Sequence, residues 1–171
     1  MASKPYKADK EVYDLMEELI ANYHPDLAMS VDKIAIVFKD KASKAGDKVI
    51  YGKAAKATPL FGVLGDTDYQ FVLTIGADEW LNLTQRQRKA CMDSMLCACR
   101  VETDDAGEIK TSIAPPDVSY YFDELDRWGD WRPRSADEGP ESPLERIFGK
   151  KLATELESVD ATSDEADPSE A

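Results

Sequence analysis

The chain has 171 residues, of which 43% are hydrophobic, and it carries a net charge of −13 with a sequence pI of about 4.5. This length suggests one domain with possible tails, and the composition is sufficient for a buried core. The excess of acids argues against direct binding to a nucleic-acid backbone, because phosphate contacts require Lys and Arg.

Neither a membrane helix nor a secretory leader is expected. No apolar run approaches the ~20 residues of a membrane-spanning helix, and the opening MASKPYKADK lacks the apolar stretch of a signal peptide. We therefore expect a cytosolic protein. The three cysteines, Cys91, Cys97 and Cys99, fall in one predicted helix and point around its axis, which favours reduced thiols over a disulfide framework.

The first half of the chain predicts one helix and three strands. Residues 8–23 place apolar side chains at helical spacing, which indicates an amphipathic helix that Pro25 ends. Residues 33–39 and 69–75 are rich in β-branched and aromatic side chains and predict strong strands, and 49–55 predicts a third. Because both strong strands are apolar on both sides, helices or loops are expected to cover both sheet faces.

The second half predicts two helices joined by a hairpin. Residues 78–100 form the longest helical pattern, although a capping-box pattern allows the helix to begin at Thr84 instead. Residues 101–113 contain a turn between two short extended runs, which predicts a hairpin. Residues 117–128 predict the last helix of the domain, which Gly129 ends.

These elements predict an α+β fold in which a small mixed β-sheet is packed by three helices. We assign residues 1–134 to this domain. Residues 135–171 contain 11 acids and 3 bases, a net charge of −8, and predict an acidic linker, a short amphipathic helix and a disordered tail.

An ordered set of fragments across residues 23–132 resembles the putative phage metallopeptidase family. The fragments are IAIVFK (34–39), GKA (52–54), DYQF (68–71), WLNL (80–83), QRQRKA (85–90), MDSMLCAC (92–99), PDV (116–118) and RWGDW (127–131). The resemblance implies a zincin-like fold, a phage origin and, for the expected location, the cytosol of the host cell.

The metal-binding motif of that family has no counterpart in this chain. In the family the long helix carries His-Glu-x-x-His, in which two histidines hold zinc and the glutamate is the general base. Aligned to this motif, the two histidine positions hold Ser94 and Ala98. The glutamate position holds Met95, and a further ligand position holds Pro116. The only histidine is His24, which we interpret as a surface residue at a turn.

The resemblance without its motif predicts a pseudoenzyme, that is, a catalytically inactive protein that acts by binding another protein. The acidic balance favours a partner with a basic surface, such as a host nucleic-acid-binding or defence protein that an acidic protein occupies in place of DNA or RNA. No catalytic residue, metal, cofactor, membrane or direct nucleic-acid contact is expected. The expected partner-facing residues are Asp104, Asp105, Glu108, Asp123, Asp126 and Trp131.

Two other functions stay open. One is an accessory or structural phage protein without an inhibitory role, in which the acidic tail serves only solubility. The other is an enzyme whose site has moved to Cys97 or Cys99, with His24 as the available imidazole. Trp128 is expected to belong to the core, and the oligomeric state is not predicted.

Overall fold

A computed structural model describes residues 4–65, 67–116, 119, 121–129 and 146. The chain divides into two units between Pro115 and Pro116. The linker, amphipathic helix and tail predicted for 135–171 lie outside the described residues apart from Arg146, and the predicted boundary after residue 134 stays a prediction. None of the helices described is long and apolar enough to cross a membrane.

The described elements confirm the α+β class. In chain order the strands are β1 (Tyr6–Lys7), β2 (Ile34–Lys39), β3 (Ser43–Ala45), β4 (Lys48–Ile50), β5 (Gly52–Lys56), β6 (Phe71–Gly76), β7 (Cys99–Thr103) and β8 (Ile109–Ile113). The helices are α1 (Lys10–Tyr23), α2 (Leu60–Leu64), α3 (Ala77–Asn82), α4 (Gln85–Ala98) and α5 (Phe122–Trp128), with a 3-10 helix at Pro25–Lys33.

The central sheet is small and mixed, as predicted. Its strand order is β1-β2-β6-β5, in which β2 and β6 are parallel and the two outer pairs are antiparallel. The parallel register sets Ile36 beside Leu73. Two separate hairpins, β3-β4 and β7-β8, complete the described strands. The second of these is the hairpin predicted for residues 101–113.

One face of the sheet is fully buried and the other is partly covered, so the expectation that both faces are covered holds fully for one face and partly for the other. Burial alternates along β2 and β6, and the buried side chains are Ile34, Ile36, Phe38, Phe71, Leu73 and Ile75. Side chains on the opposite face, such as Val37 and Val72, are only half-buried. The apolar sequence of both strands therefore reflects β propensity as well as burial.

Helices α1 and α4 supply the apolar side chains that share the core with the buried sheet face. The contributing residues are Val12, Met16, Leu19 and Ile20 from α1, and Met92, Met95 and Leu96 from α4. Helix α1 begins where the Asp9 carboxylate accepts a hydrogen bond from the Val12 N–H at 3.3 Å. It ends at His24, directly before Pro25.

The helix predicted for 78–100 is two helices, because the chain turns at Leu83 and Thr84. Thr84 is the N-cap of α4, and its side chain accepts a hydrogen bond from the Gln87 N–H at 3.3 Å. Gln87 returns the bond by accepting from the Thr84 N–H at 2.9 Å. The alternative start at Thr84 is thus confirmed, and local capping outweighs the continuous helical pattern.

Helix α5 belongs to the second unit and is shorter than the 117–128 predicted for it. It ends at Gly129, which has a φ of +60° and confirms the predicted stop. No residue of α5 is buried, and the Trp128 side chain is 68% exposed. The expectation that Trp128 belongs to the core is therefore wrong for this unit.

Candidate functional site

Helix α4 carries three of the four residues that the sequence alignment matched to the metal-site motif of the family. Ser94 is exposed, Ala98 is half-buried, and Met95 is buried with 3% of its surface exposed. The fourth, Pro116, is an exposed residue of the second unit. Zinc takes imidazole, carboxylate and thiolate ligands in proteins. These four residues offer none of them, since their side chains are a hydroxyl, a methyl group, a thioether and a pyrrolidine ring.

Met95 packs closely against the sheet. A Cβ atom on Gly52, the first residue of β5, would lie only 2.6 Å from the Met95 Sδ and 3.2 Å from the Cys91 Sγ. Because Gly52 lacks that atom, the thioether fills the space beside the strand. A thioether has no proton to accept or donate at neutral pH, so this position supplies packing and no acid–base chemistry.

A buried histidine and a carboxylate meet beside this helix face. His24, at the end of α1, is only 8% exposed, so the interpretation of His24 as a surface residue is wrong. Its Nε2 lies 2.7 Å from the Asp93 Oδ1 on α4. The hydrogen bond ties the C-terminal end of α1 to α4 and satisfies the buried imidazole.

Cys97 completes a group of three side chains that can bind a metal ion. Asp93 and Cys97 are four residues apart on α4, so they lie on one helix face. His24, Asp93 and Cys97 each offer one ligand atom, and these atoms lie within 4.8 Å of one another. Imidazole, carboxylate and thiolate are all ligands of divalent zinc. The sequence prediction gave no metal ligands, so this group was missed.

The same geometry disfavours a cysteine-based catalytic relay. Such a relay places the carboxylate on one imidazole nitrogen and the thiol on the other, so the oxygen and the sulfur lie on opposite sides of the ring. Here the Asp93 Oδ1 is hydrogen-bonded to His24 Nε2, and the Cys97 Sγ lies within 4.8 Å of an oxygen of the same carboxylate. The ligand atoms of the three side chains instead face a common point.

The other two thiols, those of Cys91 on α4 and of Cys99 at the start of β7, are more buried than that of Cys97. Burial raises the pKa of the Cys99 thiol to about 12, and its Sγ donates to the Met95 carbonyl oxygen at 3.5 Å. Burial also raises the pKa of the Cys91 thiol. Both are therefore protonated at neutral pH and are poor nucleophiles. Cys99 does not fit the relocated enzyme site considered from the sequence.

The acidic residues expected at a partner surface occupy two regions. Asp105 and Glu108 are exposed in the turn of the β7-β8 hairpin. Asp104 instead organises that turn, because its carboxylate accepts hydrogen bonds from the Ala106 and Glu108 N–H groups at 3.0 and 2.9 Å. These bonds, that of Glu108 above all, lower the pKa of Asp104.

The remaining expected residues belong to the second unit. Asp123 and Asp126 are exposed on α5. Trp131 lies outside the described residues. The two groups of acids are in different units, so each is a separate candidate surface.

Two further surface features were not predicted. Helix α2 exposes four large apolar side chains to solvent, each 46% to 80% exposed: Leu60, Phe61, Val63 and Leu64. A groove of about 730 Å³ lies between α1, β1 and the α3-α4 segment. Its apolar lining includes Trp80 and Val12. Glu18 and Lys89 also line it and form an ion pair at 2.7 Å.

The missed cluster had only a partial signal in the sequence. The i, i+4 spacing of Asp93 and Cys97 is visible in the sequence DSMLC. His24 is 69 positions from Asp93, and only the packing of α1 on α4 brings the two together.

Comparison with known proteins adds the family. No curated protein and no solved structure gives a significant match. The family model described as "Putative phage metallopeptidase" matches residues 4–146, which includes the sheet, α4 and both hairpins. The chain therefore belongs to the putative phage metallopeptidase family.

Proposed function

We propose that this chain is a catalytically inactive member of its family that acts by binding a protein with a basic surface, in the cytosol of the host cell. The observation that carries the proposal is the side chain at the position of the family's general base. A zincin requires a carboxylate next to a metal-bound water at that position. Met95, which the sequence alignment assigns to it, is a buried thioether packed beside Gly52.

The histidine count supports the same conclusion. A His-Glu-x-x-His site needs two imidazoles four residues apart on one helix. The 171 residues contain one histidine, His24, and its Nε2 is hydrogen-bonded to the Asp93 carboxylate. The chain keeps the family's fold but lacks this pair of histidines. We therefore assign its function to the surfaces of the fold.

Helix α2 offers a surface of the type that binds proteins. Soluble proteins seldom expose contiguous large apolar patches without an interaction partner. In α2, Val63 and Leu64 are 80% and 78% exposed. Asp68 lies beside this helix, since its Oδ1 would be 3.4 Å from a Cβ on Gly62. We assign α2 as the apolar part of the partner surface.

Charge indicates the chemistry of the partner. A net charge of −13 attracts basic surfaces over a long range at low ionic strength. Proteins that bind nucleic acids carry such surfaces, so the proposed partner is a host nucleic-acid-binding or defence protein whose basic groove this chain occupies. The exposed acids Asp105 and Glu108 are the proposed contacts in the first unit.

The experiment is capture of a partner from host lysate by the tagged chain, followed by reconstitution with the purified partner. We expect a complex at low salt that ~0.5 M salt dissociates, because screening then reduces the attraction between the charged surfaces. Duplex DNA should compete with the chain for the reconstituted partner.

Matched variants identify the surface. Leu64→Ser should weaken the complex roughly tenfold, since removal of an apolar interface anchor costs more than about 1 kcal/mol. Leu81→Ser is the control, because Leu81 is similarly exposed (73%) but lies on α3. Absence of a partner at either salt concentration would contradict the proposal. A partner that resists both salt and DNA would favour an accessory or structural role instead.

A further inference from the structure

We infer that His24, Asp93 and Cys97 form a binding site for a zinc ion, at residues other than the four that the sequence alignment matches to the metal-site motif of the family. The site is built where the C-terminal end of α1 packs on α4. It does not depend on the proposed protein-binding function. Its ion would connect two helices that contribute to the core.

The ligand set selects the metal. Zinc accepts imidazole, carboxylate and thiolate ligands, whereas magnesium and calcium prefer oxygen ligands and are disfavoured by the imidazole nitrogen and the thiolate sulfur. The carboxylate and the thiolate offset the two positive charges of the ion. Three protein ligands leave a fourth position for water, and the exposed position of Cys97 gives solvent access to it.

The distances require only small movements. In a tetrahedral site with bonds of about 2.0–2.1 Å, the imidazole nitrogen and the carboxylate oxygen are about 3.3 Å apart. The observed separation of His24 Nε2 and Asp93 Oδ1 is 2.7 Å, so the ion would separate these atoms by about 0.6 Å. The Cys97 Sγ lies within 4.8 Å of a ring nitrogen of His24 and of a carboxylate oxygen of Asp93, and a tetrahedral site needs a nitrogen–sulfur separation of about 3.6 Å.

Binding replaces the present hydrogen bond and the thiol proton. To bind the ion through Nε2, the His24 ring must carry its single proton on Nδ1, so a proton on Nε2 moves to Nδ1 by tautomerisation and any second ring proton is released to solvent. The Cys97 thiol also releases its proton to solvent as the sulfur–zinc bond forms. The ion does not restore the catalytic machinery of a zincin. In a zincin a glutamate follows the first metal ligand of the helix, whereas here Ser94 follows Asp93.

The test is zinc binding to the purified full chain, measured by isothermal titration calorimetry and by elemental analysis after dialysis. Cobalt substitution adds a spectroscopic readout, since a cobalt–thiolate bond produces near-ultraviolet charge-transfer absorption. We expect one zinc ion per chain, a rise of the melting temperature with zinc, and the charge-transfer band.

Three variants distinguish zinc held by this cluster from zinc held elsewhere on the chain. Cys97→Ala should lose the charge-transfer band and weaken zinc binding by at least about tenfold, and its exposed side chain leaves the fold intact. Asp93→Asn should weaken zinc binding while keeping the hydrogen bond to His24. Cys91→Ala, which removes another thiol of α4 outside the cluster, should bind zinc as the wild type does.

Two results would overturn the inference. One is a wild-type chain that retains no zinc after dialysis against ~10 µM zinc, a concentration well above the dissociation constants of structural zinc sites. The other is zinc binding that Cys97→Ala leaves unchanged. Protein binding by the Cys97→Ala variant would be unaffected in either case, so failure of this site and failure of the proposed function can be distinguished.

Discussion

Gly52 and Met95 lie against each other where β5 packs on α4. Gly52→Ala should destabilise the chain by roughly 1–3 kcal/mol, because its new methyl group would overlap the Met95 thioether. In a Met95→Ala background, which itself costs about 2–5 kcal/mol, the Gly52 substitution should cost less than about 1 kcal/mol. Urea unfolding of the four chains measures the coupling. Additive costs would show that Met95 does not fill this space.

The cysteines of α4 and its C-terminal end should differ in reactivity. Cys97 is exposed, whereas Cys99 is buried with a pKa raised to about 12 by burial. Iodoacetamide at pH 8 should therefore modify Cys97 at least about tenfold faster than Cys99 in the native chain. Mass spectrometry of the peptides after timed quenching measures both rates. Equal rates in the folded chain would contradict the burial of Cys99, and equal rates in urea are the control.

The raised pKa of Cys99 also has a consequence for stability. A thiol whose pKa is higher in the folded chain than in the unfolded chain stabilises the fold fully below the unfolded pKa. This contribution is lost as the pH rises toward 12, because the unfolded chain then ionises first. Cys99→Ser does not ionise in this range, so it should show a weaker loss of stability above pH ~9 than the wild type in denaturant unfolding.

The elements differ in how far the sequence predicts them. β2 and β6 are predicted closely because their runs of β-branched and aromatic residues are dense. β1 is not predicted, since two residues without a pattern become a strand only through pairing with Val37 and Phe38. The 3-10 helix is also missed, and the His24–Asp93 contact depends on how α1 ends before it and packs on α4. Local sequence patterns therefore predict strands and helix caps, whereas the candidate site forms only through tertiary packing.

The start of α4 depends on its capping box. Thr84→Ala should cost about 1 kcal/mol, because the Gln87 N–H then loses its acceptor. Gln87→Glu is the matched control, since a carboxylate can accept the Thr84 N–H in the same way and should change the stability by less than about 0.5 kcal/mol. Thermal unfolding compares them. A loss in Gln87→Glu equal to that of Thr84→Ala would argue against the reciprocal cap.

The β7-β8 turn should be acid-sensitive because of Asp104. The Glu108 N–H, with lesser contributions from Lys110 and the Ala106 N–H, lowers the pKa of this carboxyl. A lowered folded pKa means that the stabilisation is present above the ordinary carboxyl pKa and is lost as the pH falls through the folded value. Amide exchange at Ala106 and Glu108 should accelerate there beyond its intrinsic pH dependence, and Asp104→Ala should abolish this added acceleration.

At the scale of the whole molecule, charge is distributed unevenly along the chain. Residues 135–171 carry a net charge of −8 of the total −13. If the partner is attracted mainly by this segment, removal of residues 135–171 should slow association with the captured partner at low salt and leave the rate at ~0.5 M salt nearly unchanged. Stopped-flow association rates test this, and an equal rate for both chains at low salt would assign the attraction to residues 1–134.

The central question is whether this member of a metallopeptidase family cleaves peptides. The direct measurement is mass spectrometry of a diverse peptide mixture incubated with the full chain, with zinc in one arm and EDTA in the other. We expect identical peptide patterns in both arms, because the sequence alignment matches Met95 to the general base of the family and the sequence contains one histidine only. Zinc-dependent cleavage that increases with the amount of chain and disappears in EDTA would contradict the proposed inactivity.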